Sequence, residues 1–152
     1  AIDQNMLTSI EMIKAVIDSM VMNKFGRIVN ITSGSVKSPI PELGLSNGAR
    51  SGLTGFVAGI AREYAQYNVT INNLLPGQFN TARIENLIES RAKEDGIAPQ
   101  KLRATLEREN PSRRLGEIAE FGFACAWICS AHSGYLVGQN ILLDGGVFNS
   151  TH

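Results

Sequence analysis

The chain has 152 residues, of which 43% are hydrophobic and 18% charged, and its 14 basic residues balance its 14 acidic ones. This length and composition fit one globular domain with a buried core. The lack of net positive charge argues against a nucleic-acid partner, and no apolar run approaches the roughly 18 residues of a membrane helix. The first residues also lack the basic start and apolar stretch of a secretory signal. We therefore expect a cytoplasmic protein that binds neither nucleic acid nor membranes.

The first half of the chain predicts helices and strands in alternation. Apolar side chains recur at helical spacing over residues 6 to 22, and a β-branched run over residues 27 to 32 predicts a buried strand. Residues 33 to 45 are rich in glycine, proline and serine and predict a loop. A helix with small residues on one side is then predicted over residues 47 to 66, and a second strand over residues 69 to 75.

The second half opens with a strongly charged segment of mixed sign, residues 82 to 114. It predicts two polar helices with a break near residues 96 to 99. They form either a solvent-exposed helical segment outside the core or a lid over a substrate site. A further apolar helix is predicted over residues 117 to 130 and a third strand over residues 140 to 143. Strands separated by helices imply an α/β fold with a parallel sheet. Because the first strand is too apolar for a sheet edge, we expect further chain beside it.

Cysteine and histidine are scarce in this sequence. Cys125 and Cys129 are the only cysteines, and their spacing of four in a helical pattern is unfavourable for a disulfide between them. We predict two buried thiols, which suit a reducing compartment. His132 and His152 are expected at the surface, and no metal site is predicted.

Several short motifs occur in an order and at a spacing typical of one family. Residues 26–33 form a strand ending in Ser33, and residues 69–77 form a strand ending in Pro76-Gly77, with Thr81 completing a Pro-Gly-x-x-x-Thr pattern. Three closing segments follow, at residues 114–117, 134–139 and 144–146. Together they resemble the C-terminal part of the short-chain dehydrogenase/reductase family, over nearly the whole chain.

The resemblance implies a Rossmann-type doubly wound parallel sheet, of which this chain supplies three strands with flanking helices. A complete member opens with a glycine-rich turn that holds the cofactor pyrophosphate at a helix N-terminus. Nothing here matches that turn, so residues 1–152 are expected to be the C-terminal portion of a single domain. The resemblance also implies NAD or NADP as cofactor, a small carbonyl or alcohol substrate, and a homo-oligomer formed through residues 6–22, residues 47–66 and the last strand.

The family's chemistry depends on a tyrosine acid–base group, a lysine four residues later, a serine and an asparagine. Asn5 matches the asparagine position, with a helix N-cap as the alternative role. Ser33 matches the serine, because it ends a buried strand at the carboxyl edge where such folds bind ligands. Pro76, Gly77, Phe79 and Thr81 match the loop on the nicotinamide side of the cofactor site.

The tyrosine is missing from its expected place. It should lie twelve or thirteen residues after Ser33, where the sequence has Leu45 and Ser46. Counting back 22 residues from the strand residue Asn72 places the lysine position at Arg50, and four residues earlier is again Ser46. We therefore expect Ser46 in place of the tyrosine and Arg50 in place of the lysine.

These two replacements change the expected chemistry. A serine hydroxyl is far less acidic than a phenol, and an arginine can hold ribose hydroxyls but stays protonated and cannot relay a proton. Tyr64, Tyr67 and Tyr135 do not fit the missing role. Three functions stay open: a divergent nicotinamide-dependent oxidoreductase, a non-catalytic nucleotide-binding or subunit-interaction member, and an inactive truncated product.

Overall fold

The computed structural model of the protein describes residues 1–150, and it contains a three-stranded parallel sheet in the order β1-β2-β3. The strands are β1 (Gly26–Ile31), β2 (Val69–Pro76) and β3 (Asn140–Leu143). Five α-helices accompany them: α1 (Thr8–Met22), α2 (Gly44–Ala65), α3 (Ala82–Glu94), α4 (Pro99–Glu109) and α5 (Ile118–Ile128). The α/β class, the parallel pairing and the predicted element order are confirmed.

The boundaries differ from the prediction at two helix starts. A π-helical turn, Asp3–Leu7, leads directly into α1. The predicted loop contains two short 3-10 turns, Gly34–Val36 and Pro41–Leu43, and the second leads into α2 at Gly44. Counted with its π-helical turn, the first helical segment begins at Asp3, before the predicted residue 6, and α2 begins at Gly44, before the predicted residue 47. The added residues carry no apolar periodicity, so the sequence pattern did not include them.

The main core lies between the sheet and the first two helices. Ile13 from α1, together with Leu53 and Val57 from α2, packs with Val69 and Ile71 of β2 in one buried cluster. Val69 and Ile71 alternate along the strand and so face the same side of the sheet. All of β2 before its last residue is buried, as expected for the central strand of a parallel sheet.

A row of asparagines joins the three strands. Asn30 Nδ2 donates to Asn73 Oδ1 at 3.2 Å, and Asn73 Nδ2 donates to Asn140 Oδ1 at 2.8 Å. Asn30 and Asn73 are buried and lie opposite each other in the β1–β2 register, as Asn73 and Asn140 do between β2 and β3. Because buried amides need partners, this row favours the observed register over a slipped one.

The charged segment folds as a helical pair with a small core of its own. Ile84, Ile88 and Leu115 are buried together, and Leu102 and Leu106 of α4 pack against them. Arg103 of α4 also forms an ion pair with Glu85 of α3 and donates to Asn80 Oδ1 at 2.9 Å. The segment is therefore a packed unit joined to the rest of the molecule.

Helix α5 corrects the prediction for the cysteines. Its only buried residue is Ile128, while Cys125 is half-buried and Cys129 is exposed, so the prediction of two buried thiols is wrong. The helix is apolar on all sides but contributes little of that surface to the core. His132 is exposed as predicted, and His152 lies outside the described residues.

Residues 1–150 contain neither a membrane-spanning helix nor a cluster of metal-binding side chains. No helix there combines the length and the apolar character needed to cross a membrane. The same residues contain no group of three or more histidine, cysteine, aspartate or glutamate side chains placed to hold a metal ion.

Candidate active site

The carboxyl ends of the three strands meet at one edge of the sheet. Ser33 follows β1, Gly77 follows β2, and Asp144 follows β3. Thr32 N–H donates to Leu74 O at 3.0 Å, and Gly77 N–H donates to Leu143 O at 2.8 Å, so the pairing continues to this edge. In open α/β sheets, ligands bind outside this edge.

Gly77 allows the ends of β2 and β3 to come close together. A Cβ atom at this position would lie 2.7 Å from both Cα and Cβ of Asp144. Only glycine fits without moving one of the two strands, because real Cβ contacts are longer than this. The Pro-Gly pair therefore has a packing reason as well as its predicted place in the nicotinamide loop.

Ser33 lies in extended backbone and caps the 3-10 turn that follows β1. Its Oγ accepts the N–H of Ser35 at 3.1 Å. The side chain is half-buried, and its hydroxyl hydrogen is not used by that bond. Ser33 can therefore cap the turn and still donate a hydrogen bond to a substrate oxygen.

Ser46 and Arg50 lie one turn apart near the start of α2 and contact each other. Arg50 Nε donates to Ser46 Oγ at 3.3 Å, and its Nη1 donates to the carbonyl oxygens of Thr32 at 2.6 Å and Ile31 at 3.4 Å. The guanidinium thus joins the first turns of α2 to the end of β1, immediately before Ser33. The structure brings three of the four predicted catalytic residues to one place.

The guanidinium of Arg50 lies in a setting that disfavours its charge. Burial lowers the pKa of Arg50 from its usual value, and the charge of Arg83 lowers it further. The described residues contain no ion pair that includes Arg50 or Arg83. An arginine starts from so high a pKa that it stays protonated at neutral pH, so Arg50 supplies charge and hydrogen bonds but no proton relay.

Asn5 lies inside the π-helical turn, and this turn contacts α2. The helical segment begins before Asn5. The N-cap position of the π-helical turn is Ile2 and that of α1 is Leu7, and neither side chain makes a capping hydrogen bond. The alternative role of Asn5 as a helix N-cap is therefore wrong, because the π-helical turn extends the helix toward the N-terminus. Such turns are frequent at functional sites.

The loop after β2 has side chains with structural partners. The Phe79 ring packs edge-on against Phe121 with 5.2 Å between centroids, and Thr81 caps α3 by accepting the N–H of Ile84 at 3.4 Å. Main-chain bonds from Gly116 N–H to Gln78 O and from Asn80 N–H to Gly116 O bracket Phe79. The N–H and C=O of Phe79 itself have no partner in the described residues, so they are open to a ligand.

A cleft of about 360 Å³ opens beside Ser33. Its walls come from the Ser33 turn, the Pro76–Gly77 turn, the last turn of α4 and the C-terminal segment. Leu106 and Glu109 lie in the segment 82–114, for which a lid was one of the two predicted roles, but the sequence did not single them out. Val147 and Phe148 of the C-terminal segment were not predicted as site residues. They carry no motif, so only the spatial arrangement identifies them.

A hydrogen-bond network joins α4 to the turn after β3. Asn110 is buried, its Nδ2 donates to Asp144 O at 3.0 Å, and its Oδ1 accepts the N–H of Ser112 at 2.9 Å. Ser112 N–H in turn donates to Gly145 O at 3.2 Å. The network fixes the position of the α4 wall of the cleft relative to the sheet.

The comparison with known protein families agrees with this geometry. A family model described as enoyl-(acyl carrier protein) reductase matches residues 1–148. The chain belongs to the short-chain dehydrogenase/reductase family. The recognition made from the sequence motifs is confirmed.

Curated relatives of the short-chain dehydrogenase/reductase family match almost the whole chain. The NADPH-dependent reductase BacG of Bacillus subtilis is 30% identical over 147 residues, covering 97% of this chain and 57% of the relative. Acetoacetyl-CoA reductase of Cupriavidus necator is 34% identical over 148 residues, covering 96% of this chain and 55% of the relative. The chain therefore spans about half the length of the curated relatives it matches.

Solved structures of the family have the same fold. The NADPH-dependent reductase YwfH, involved in bacilysin biosynthesis, superposes with a TM-score of 0.90 at 29% identity, over 98% of this chain and 57% of that one. A 3-oxoacyl-(acyl-carrier-protein) reductase from Agrobacterium tumefaciens with NADP bound superposes with a TM-score of 0.79 at 25% identity, over 93% of this chain and 52% of that one.

The three tyrosines of the chain lie away from the cleft beside Ser33. Tyr64 packs against the main core, and Tyr67 and Tyr135 are exposed. None of the three lines the cleft beside Ser33.

Proposed function

We propose that the natural protein containing this chain is a nicotinamide-dependent oxidoreductase that transfers hydride between NAD or NADP and a small carbonyl or alcohol substrate. The observation that carries the proposal is the placement of Ser33, Ser46 and Arg50 around the end of β1, next to the cleft. Family membership supports the reaction type, and the NADPH-dependent relatives support the cofactor class.

The residues after β2 fit the nicotinamide end of the cofactor. The unpaired N–H and C=O of Phe79 would hold the carboxamide, beside the exposed Gly77 and the Thr81 hydroxyl, which keeps its hydrogen to donate. When bound, the nicotinamide supplies or accepts the hydride. Arg50 would offer its remaining N–H groups to the ribose hydroxyls.

The chain's own side chains would position the substrate oxygen. Ser33 donates its hydroxyl hydrogen to that oxygen, and Arg50 keeps Ser46 and the end of β1 in place. Neither Ser46 nor Arg50 readily exchanges a proton at neutral pH, so water or a substrate group would supply it. Loss of a positioned acid–base group slows such a reaction by roughly 10²- to 10⁴-fold, so we expect slow turnover.

We also assign residues 82–114 a lid role. Leu106 and Glu109 of α4 line the cleft, and the α3–α4 pair has a core of its own. A helical segment that was only solvent-exposed would need neither cleft-lining residues nor a core of its own. Asn110 links the lid to the turn after β3, so closure would act on the cleft directly.

Self-association is part of the proposal. On α1, Met12 is 67% exposed, and along α2 the glycines at 48, 55 and 59 face open space, where another helix could approach closely. The outer edge of β3 pairs with no strand in residues 1–150. These surfaces support a homo-oligomer, and analytical ultracentrifugation of the natural protein would measure its size. A cytoplasmic location is also part of the proposal, because Cys125 and Cys129 are free thiols, which suit a reducing compartment.

Turnover of simple aldehydes and ketones with reduced cofactor tests the proposal. We expect slow oxidation of the cofactor that drops roughly 10²-fold in Ser33→Ala, because a transition-state hydrogen bond is lost. Ser51→Ala is the matched control, since Ser51 is exposed on α2 and does not line the cleft. Equal rates for the natural protein and Ser33→Ala would contradict the role of Ser33.

A non-catalytic member is the second candidate function. The observation that favours it is the hydrogen bond that Arg50 Nε donates to Ser46 Oγ. This bond ties up the two side chains at the proposed tyrosine and lysine positions with each other. Such a member would bind cofactor without turning over any carbonyl or alcohol. Calorimetric binding of the cofactor together with undetectable hydride transfer would select this alternative.

A further inference from the structure

The cleft beside Ser33 carries acidic groups that the hydride-transfer proposal leaves unexplained. Among its lining residues within 1–150, Glu109 and Asp144 are acidic and none is basic. Both carboxylate oxygens of Asp144 accept main-chain N–H groups, from Gly146 at 2.9 Å and Phe148 at 2.8 Å. The Glu109 carboxylate forms no hydrogen bond and no ion pair within residues 1–150. Its charge is therefore available to a ligand.

Helix stability does not explain an acidic residue at this position. Glu109 is the last residue of α4, where the helix carries partial negative charge and an acidic side chain is unfavourable. The guanidinium of Arg113 contacts the carbonyl of Arg108 instead. The helix end and Glu109 thus both contribute negative potential at the cleft wall.

The nearby cations do not neutralise this wall from within the cleft. Lys37 Nζ lies 5.5 Å from the centre of the Phe148 ring, and Arg50 contacts Thr32 O behind Ser33. None of Lys37, Arg50 and Arg113 is among the lining residues. Much of the remaining wall is apolar, with Ile40, Leu106 and Val147. The cavity size suits a small ring or a short chain.

We propose that Glu109 is a specificity-determining residue of this cleft. It favours apolar substrates that carry an amine or no charge, and it disfavours substrates that carry a carboxylate or phosphate. An ammonium group would gain Glu109 as its partner. An anionic group would lose hydration and meet a like charge, with no lining cation to compensate. The inference rests on the proposed function, since it assigns the substrate class of the same cleft.

Three ketones of one shape and different charge test this inference on the natural protein. They are 4-(dimethylamino)cyclohexanone, 4-methylcyclohexanone and 4-oxocyclohexanecarboxylate. We expect affinity and kcat/KM to fall in that order, by roughly twofold to fivefold a step, the size of a solvent-exposed charge pair, because Glu109 is exposed. Added salt should compress the differences.

Two glutamate variants separate the local charge from the net charge. Glu109→Gln should abolish the order of the three ketones. Glu89→Gln, at an exposed position of α3 that does not line the cleft, should leave it unchanged. An unchanged order in Glu109→Gln, or no binding of any of the three ketones, would overturn the inference. Ordered binding without hydride transfer would support it and refute the proposed function.

Discussion

At Ser46 and Arg50, the spacing of four residues on a helix has a direct structural consequence. Side chains at this spacing lie on the same face, and here the longer one reaches both Ser46 Oγ and the carbonyl of Thr32. The guanidinium is planar and offers several N–H donors, which allows it to contact two elements at once. A lysine ammonium at position 50 would have a different geometry and fewer fixed directions.

Restoring the family's pair of residues should raise activity. We expect Ser46→Tyr combined with Arg50→Lys to increase carbonyl reduction by the natural protein, by roughly tenfold or more, because a tunable acid–base group returns. Steady-state kcat/KM with reduced cofactor measures the gain, and circular dichroism checks that the fold is kept. No gain in a folded double variant would contradict the assignment of these positions.

Gly145 is required by both its backbone and its surroundings. Its φ is +73°, and a Cβ atom would lie 2.4 Å from Asn110 Oδ1. We expect Gly145→Ala to lower the free energy of unfolding by about 1–3 kcal/mol. The control is Gly122→Ala in α5, where nothing lies within 4 Å. That change should be neutral or stabilise by up to about 1 kcal/mol in urea unfolding.

At the scale of elements, α5 is held at its start by an ion pair that no motif predicted. Arg114 donates two bonds of 2.6 Å to the carboxylate of Glu120, which also accepts the N–H of Glu117. The hydrogen bonds from the Arg114 guanidinium are the main reason that the pKa of Glu120 is lowered to about 2, and the N–H of Glu117 lowers it further. The capping box of Glu117 and Glu120 adds a local reason for the helix to begin there.

This pair predicts a defined pH response. Because the folded-state pKa of Glu120 is lowered, its contribution to stability is present above the usual carboxyl pKa and is lost as the pH falls toward about 2. NMR titration should find the pKa of Glu120 below the ordinary range. In Arg114→Ala, it should rise toward that range. An unchanged Glu120 pKa in Arg114→Ala would show that the ion pair does not form in solution.

At the scale of the whole molecule, the carboxyl ends of the strands and the last turn of α4 line the same cleft. The cofactor's pyrophosphate has no matching glycine-rich turn among these 152 residues. We therefore expect the 152-residue chain by itself to bind NAD or NADP weakly, and isothermal titration calorimetry measures this. A dissociation constant of about 1 μM or lower would contradict the expectation.

The amino-acid sequence determined the strand and helix order because apolar periodicity and turn residues are local signals. Val69 to Leu75 and Asn140 to Leu143 could be read as strands because β-branched and apolar residues occur between turn residues. The motifs around Ser33 and Pro76-Gly77 also gave the family. The helix starts at Asp3 and Gly44 could not be read this way, since they depend on turns without periodicity.

The tertiary structure alone decided the roles that depend on contacts between distant residues. The contact of Arg50 with Thr32, the position of Asn110 against the turn after β3 and the exposure of Cys129 leave no local pattern in the chain. The same holds for the cleft wall that contains Glu109. A side chain's neighbours across the sheet edge are fixed by packing, so the sequence determined which residues are available and the fold determined which of them meet.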